Sequence, residues 1–159
     1  MHTPPLSSRS HLSPPAVERR LFAWLSLAIL GMVLIGFSRT YLLVPTLGMP
    51  EGSPPYSMLI HIHAAVFFSW CCLYVLQSWL VAKNRFEVHR QLGQVGLLLY
   101  VGMVITGPMV GLHSVTRYGA TPDDLSFLSV SLSNVLAYST IIGAAFLLRK
   151  FPATHKRLI

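Results

Sequence analysis

The side chains in this chain that could hold a metal or move a proton are mainly imidazoles, seven of them in 159 residues. Imidazole is the commonest transition-metal ligand and changes charge nearest to neutral pH. His2 and His11 belong to an amino-terminal tail and are set aside. The other five, His61, His63, His89, His113 and His155, fall at the borders of long apolar runs. His61 and His63 are two residues apart, which on a helix separates them by about 200° around the axis. A regular helix cannot aim both at one ion. His63 heads a stripe at steps of three and four, through Phe67, Trp70, Tyr74 and Gln77. That stripe has more polar tips than the one below His61, through Phe68, Cys72, Val75 and Trp79. In a membrane the more polar stripe is expected to face other helices, so His63 points inward and His61 toward the headgroups.

Three readings of these residues are open. In the first, neutral imidazoles from different helices grip the iron of b-type haem, His63 with His113 at one end and His89 with His155 at the other. Gly93, Gly96, Gly102, Gly107 and Gly111 would leave one helix smooth enough for the flat macrocycle. In the second, His61, His63 and His113 bind a transition metal. In the third, the histidines are interfacial hydrogen-bonders and the glycines only let helices approach, as in Gly107-x-x-x-Gly111. There is no Ser-His-Asp arrangement, phosphate-cradling loop or nucleotide fingerprint. Asp123 and Asp124 suit the first turn of a helix, where carboxylates complement the dipole. No residue is given a catalytic role.

The elements that must position these groups are membrane spans. The chain is 53% hydrophobic and 11% charged, with mean hydropathy +0.58. A soluble domain has about 25% charged residues. The apolar residues also come in runs rather than stripes, which predicts an all-α integral membrane bundle. Residues 1–20 are Pro- and Ser-rich and read as a disordered tail. The transmembrane domain is 21–159, with four spans at about 21–44, 59–82, 92–112 and 126–148. Asn134 is expected to bond between helices. Adjacent Cys71 and Cys72 inside a span exclude a disulfide framework.

Charge predicts the orientation. Ten of the twelve Lys and Arg residues lie in the tail, the second connection and the carboxyl end, and only Arg39 and Arg117 lie elsewhere. Alternate segments are therefore basic, which places both ends in the cytoplasm and 45–57 and 114–125 outside. Trp24 and Trp79 would mark the inner edge; Tyr41, Tyr56 and Tyr118 the outer. The +7 charge does not point to nucleic acid, because the basic residues do not share one face. His63 and His89 cannot share a centre, since about 30 Å of helix separates their levels. Residues 151–159 read as a basic turn entering a further apolar segment near Lys156, as if the chain stopped before a fifth helix.

Gly36-Phe-Ser-Arg-Thr-Tyr41, His61-Ile-His63, Trp70 with Gln77, His89-Arg-Gln-Leu-Gly93 and His155-Lys-Arg-Leu158 occur in this order. Together they resemble an uncharacterised family of bacterial multi-pass membrane proteins. The resemblance covers about Leu21 to the end. It implies a bacterial inner-membrane location, helices continuing past His-Lys-Arg-Leu, and no particular activity. A looser likeness to transmembrane b-type cytochromes rests on histidines at helix ends. The first functional reading is thus a histidine-ligated haem b or redox-associated inner-membrane protein. The alternative is a scaffold or transporter-like protein with structural or metal-binding histidines. The expected partners are the lipid bilayer and a second copy or another membrane subunit.

Overall fold

A computed structural model describes residues 16–49, 51–52, 55–118 and 122–159, without the side chains at 117, 118, 123, 124 and 127. The expectations for residues 1–15, Tyr118, Asp123 and Asp124 lie outside what is described. The described residues are mostly helical, with no strand among them and four helices long and apolar enough to cross a membrane.

The first span is α1 (Ala16–Phe37), with Glu18 in its first turn. A carboxylate there suits the positive end of the helix. The helix therefore takes in residues 16–20, which the sequence predicts as tail. It runs on through a π-helical stretch, Ser38–Leu42, in which the Leu43 N–H donates to the Ser38 carbonyl five residues back at 2.8 Å. One further turn, α2 (Val44–Leu47), carries helix past residue 44 into the segment expected to lie outside. Pro45 sits in its first turn, where a missing N–H costs nothing.

The second span is α3 (Met58–Ala82). Asn84, at φ 59°, reverses the chain, and the Arg85 N–H reaches back to the Leu80 carbonyl at 2.8 Å. Asn tolerates this left-handed conformation better than most residues. Then α4 (Phe86–Tyr118) runs for 33 residues, about 50 Å, well beyond the roughly 30 Å hydrocarbon core. It takes in His89-Arg90, which the sequence places in the connection between spans, and the first five residues of the 114–125 segment expected outside. Hydropathy marks the thickness of the bilayer; headgroups and water let a helix continue past it. The fourth span, α5 (Pro122–Leu147), is followed by a short α6 (Pro152–Leu158) with proline in its first turn.

The helices form a row. α3 packs on α1 and α4, α4 packs on α5, and α6 packs on α5. Among the described residues the α1 backbone meets neither α4 nor α5. The core is correspondingly small: Ala23, Ala64, Leu73, Ala145 and Ser26 are buried. Most large apolar side chains face outward, which lipid tolerates because it is as apolar as they are. Contact instead comes from close backbones. A Cβ at Gly102 would lie 3.1 Å from Val66, and one at Gly107 would lie 2.9 Å from Val135.

Candidate functional site

The imidazole pair at the basic end is built from a helix terminus. α5 ends at Leu147, so its last carbonyls have no N–H of the next turn to accept. The Leu148 N–H takes the Ala144 carbonyl at 2.9 Å, and the Arg149 N–H turns to Phe146 at 3.4 Å. The Ala145 carbonyl is left, and His155 Nδ1 takes it at 2.8 Å. The chain can fold back this way because α6 starts at Pro152, not near Lys156 as the sequence suggests. A carbonyl only accepts, so Nδ1 carries the proton and Nε2 presents its lone pair. Metal-bound imidazoles are commonly oriented in this manner, with the second ring nitrogen donating to a backbone carbonyl.

His89, in the first turns of α4, faces this ring. The two centroids are 6.4 Å apart and the planes cross at 72°. The Gln77 backbone carbonyl lies beside His89 without an aligned hydrogen bond, and Nδ1 is buried and unpaired. Two imidazoles sharing one metal through bonds of about 2 Å have centroids about 6 Å apart. Gly93 lies one turn beyond His89 on the same face, and a Cβ there would meet nothing within 4 Å. Two more polar atoms in the spans are buried without partners, Gln77 Oε1 and Tyr138 OH. Tyr138 sits between Trp70 of α3 at 5.6 Å and Tyr100 of α4 at 5.9 Å, ring centre to ring centre. α6 is also held from the other side of the row. Lys156 Nζ pairs with Glu18 of α1 at 2.7 Å, and the Tyr74 hydroxyl donates to the Ile159 carbonyl at 3.2 Å.

At the opposite end the histidines separate. The Thr106 hydroxyl donates its one proton to the Gly102 carbonyl at 2.7 Å. It must therefore accept from His63 Nδ1, 2.8 Å away. His63 thus faces α4, as its stripe predicts. His113 lies seven residues beyond Thr106, about 10 Å further along α4, and the pairing of His63 with His113 is not formed. His61 turns the other way, to the Tyr41 hydroxyl at 2.8 Å rather than to water alone, with Tyr56 meeting its ring edge to face. The set His61, His63 and His113 therefore does not converge. Among the described residues no three His, Cys, Asp or Glu side chains group to hold a metal ion.

Some expectations for neighbouring residues also change. Of the five glycines expected to form a smooth face, Gly96, Gly102, Gly107 and Gly111 are closed over by Leu73, Phe146, Val66, Val135 and Leu128, and only Gly93 is open. Asn134 is exposed on α5 and forms no side-chain bond among the described residues, so it is not interhelical glue within one chain. The sequence reading missed Tyr41 as the partner of His61 and Thr106 as that of His63. A hydroxyl on a neighbouring span at matching depth was the available signal. Compared with family models, curated proteins and solved structures, the chain gives no match.

Proposed function

We propose that this is a redox-associated membrane protein whose basic end binds a b-type haem through His89 and His155. The observation that carries the reading is the imidazole pair itself: centroids 6.4 Å apart, with His155 Nδ1 committed to the Ala145 carbonyl. Two protein donors suffice for haem because the macrocycle supplies the other four nitrogens, whereas a bare ion needs three or four. The open backbone at Gly93 supports room beside His89 for a flat group. The residues present therefore fit such a group, which His89 and His155 would hold. Haem bound there would supply one-electron chemistry. The chain's own part is to fix the His155 ring through a helix-end carbonyl and to hold α6 down through Lys156 and Glu18. The charge pattern supports a cytoplasmic position for this end, and the motif resemblance supports a bacterial inner membrane.

The test is a reduced-minus-oxidised spectrum of the protein purified from cells given haem precursor. A b-type spectrum is expected, absent in His89→Ala and His155→Ala and retained in His63→Ala and His113→Ala. A colourless preparation from haem-replete cells would sink the reading. It would favour a transporter-like role, which the unpaired Gln77 Oε1 and Tyr138 OH support as sites where water could enter the spans.

A further inference from the structure

Two cations without a carboxylate face a single cavity between the basic ends of α1 and α3. The cavity has a volume of about 520 Å³ and is lined by Arg20, Ala23, Trp24, Trp79, Ala82 and Lys83. We propose that it holds the phosphate of an anionic phospholipid, clamped between Arg20 and Lys83. This inference stands independently of haem binding.

Charge makes the first argument. This end of the described chain carries nine Lys and Arg residues (19, 20, 83, 85, 90, 149, 150, 156, 157) and two acids. Both acids are engaged, Glu18 with Lys156 and Glu87 with Arg90. Neither Arg20 nor Lys83 has a carboxylate partner among the described residues. The Lys83 ammonium lies 5.9 Å from the Trp79 ring centre, a contact that leaves its hydrogens able to donate. Basic pockets between spans on the positive side are suited to anionic headgroups.

Shape and polarity make the second. Trp24 and Trp79 meet edge to face at 5.5 Å, at the depth where amphipathic rings sit among headgroups. Ala23, 2% exposed, and Ala82 give the cavity its depth because neither side chain fills it. Free phosphate would leave the indoles and alanines with nothing to contact. A phosphodiester with glycerol and acyl carbons attached matches both the charged and the apolar walls.

The test uses the full chain in zwitterionic micelles, with the thermal midpoint followed against phosphatidylglycerol, phosphatidylcholine or inorganic phosphate. Phosphatidylglycerol should raise the midpoint saturably, and the other two should not at equal concentration. Removing a cation that contacts the phosphate should weaken apparent affinity about fivefold, so Arg20→Gln with Lys83→Gln should weaken it about twenty-fivefold. Arg85→Gln with Arg157→Gln removes the same charge outside the cavity, where it touches no phosphate and salt screens it, and should change affinity about twofold at most. Ala82→Leu fills the space without changing charge and should also abolish the saturable shift, while Lys83→Arg should keep it. An equal response to inorganic phosphate would overturn the lipid assignment. Equal losses in the two double variants, or an unchanged response in Ala82→Leu, would reduce the effect to diffuse attraction and overturn the site. Should the Arg20/Lys83 variant not fold, Ala82→Leu and Lys83→Arg decide between these outcomes.

Discussion

A threonine has a single hydroxyl proton, and Thr106 gives it to the Gly102 carbonyl, so His63 is fixed as the donor in the bond between them. Thr106→Val should leave the His63 N–H without an acceptor inside the bundle. A double-mutant cycle with His63→Leu, read by reversible unfolding in mixed micelles, should give a coupling of about 0.6 kcal/mol and at most about 1.7. Zero coupling would show that the imidazole finds another acceptor. The inward direction of His63 was legible because its stripe carries Trp70, Tyr74 and Gln77 at helical steps. Its partner was not, because a stripe gives the facing direction of a side chain but not the level of the residue opposite. The same lack of level produced the expected pairing with His113: the end of the bundle was right and the position along α4 was two turns away.

Among the helices, glycine has two uses that look alike in the sequence. A Cβ at Gly107 would lie 2.9 Å from Val135, whose branched side chain has little freedom to move aside. Gly36 of α1 has nothing within 4 Å. Gly107→Ala should therefore destabilise the protein by about 1–3 kcal/mol through overpacking. Gly36→Ala should be neutral or stabilising by up to about 1 kcal/mol through helix propensity alone. Thermal unfolding of the two variants side by side checks this, and a stable Gly107→Ala would mean that α4 and α5 are not held by backbone approach. The existence of each span was plain from continuous apolar runs. The ends were not, because Phe86–Gln91 and His113–Tyr118 are too polar to count as bilayer residues yet remain helical.

Across the whole molecule, the basic residues gather at one end of a row of four long helices, with α6 folded back beneath it. The charge asymmetry predicts that Asn84 faces the cytoplasm and Glu51 the other side. With Cys71 and Cys72 replaced by alanine, a cysteine at Glu51 should react with an impermeant maleimide in intact cells. One at Asn84 should react only after the membrane is opened, and the reverse pattern would invert the topology. The row arrangement itself was not legible. Hydropathy identifies which segments enter the bilayer but carries no information on which spans adjoin. The all-α bundle that the apolar runs predict is formed, and within it α1 has a backbone neighbour only in α3 among the long helices described.

The π-helical stretch at Ser38–Leu42 contains one residue more than an α-turn needs. The helical segments on its two sides are thus already phased as though that residue were missing. Shortening the chain by one residue inside α1 would rotate everything beyond the cut by about 100° and carry Tyr41 away from His61. Removing Ser38 should instead relax the stretch to an ordinary helix, with little rotation of the turns beyond it. The two shortened chains can be compared by the amount of folded protein recovered from membranes. Loss of Leu30 should be damaging and loss of Ser38 tolerated, which would make this point of the first span a natural place for length variation.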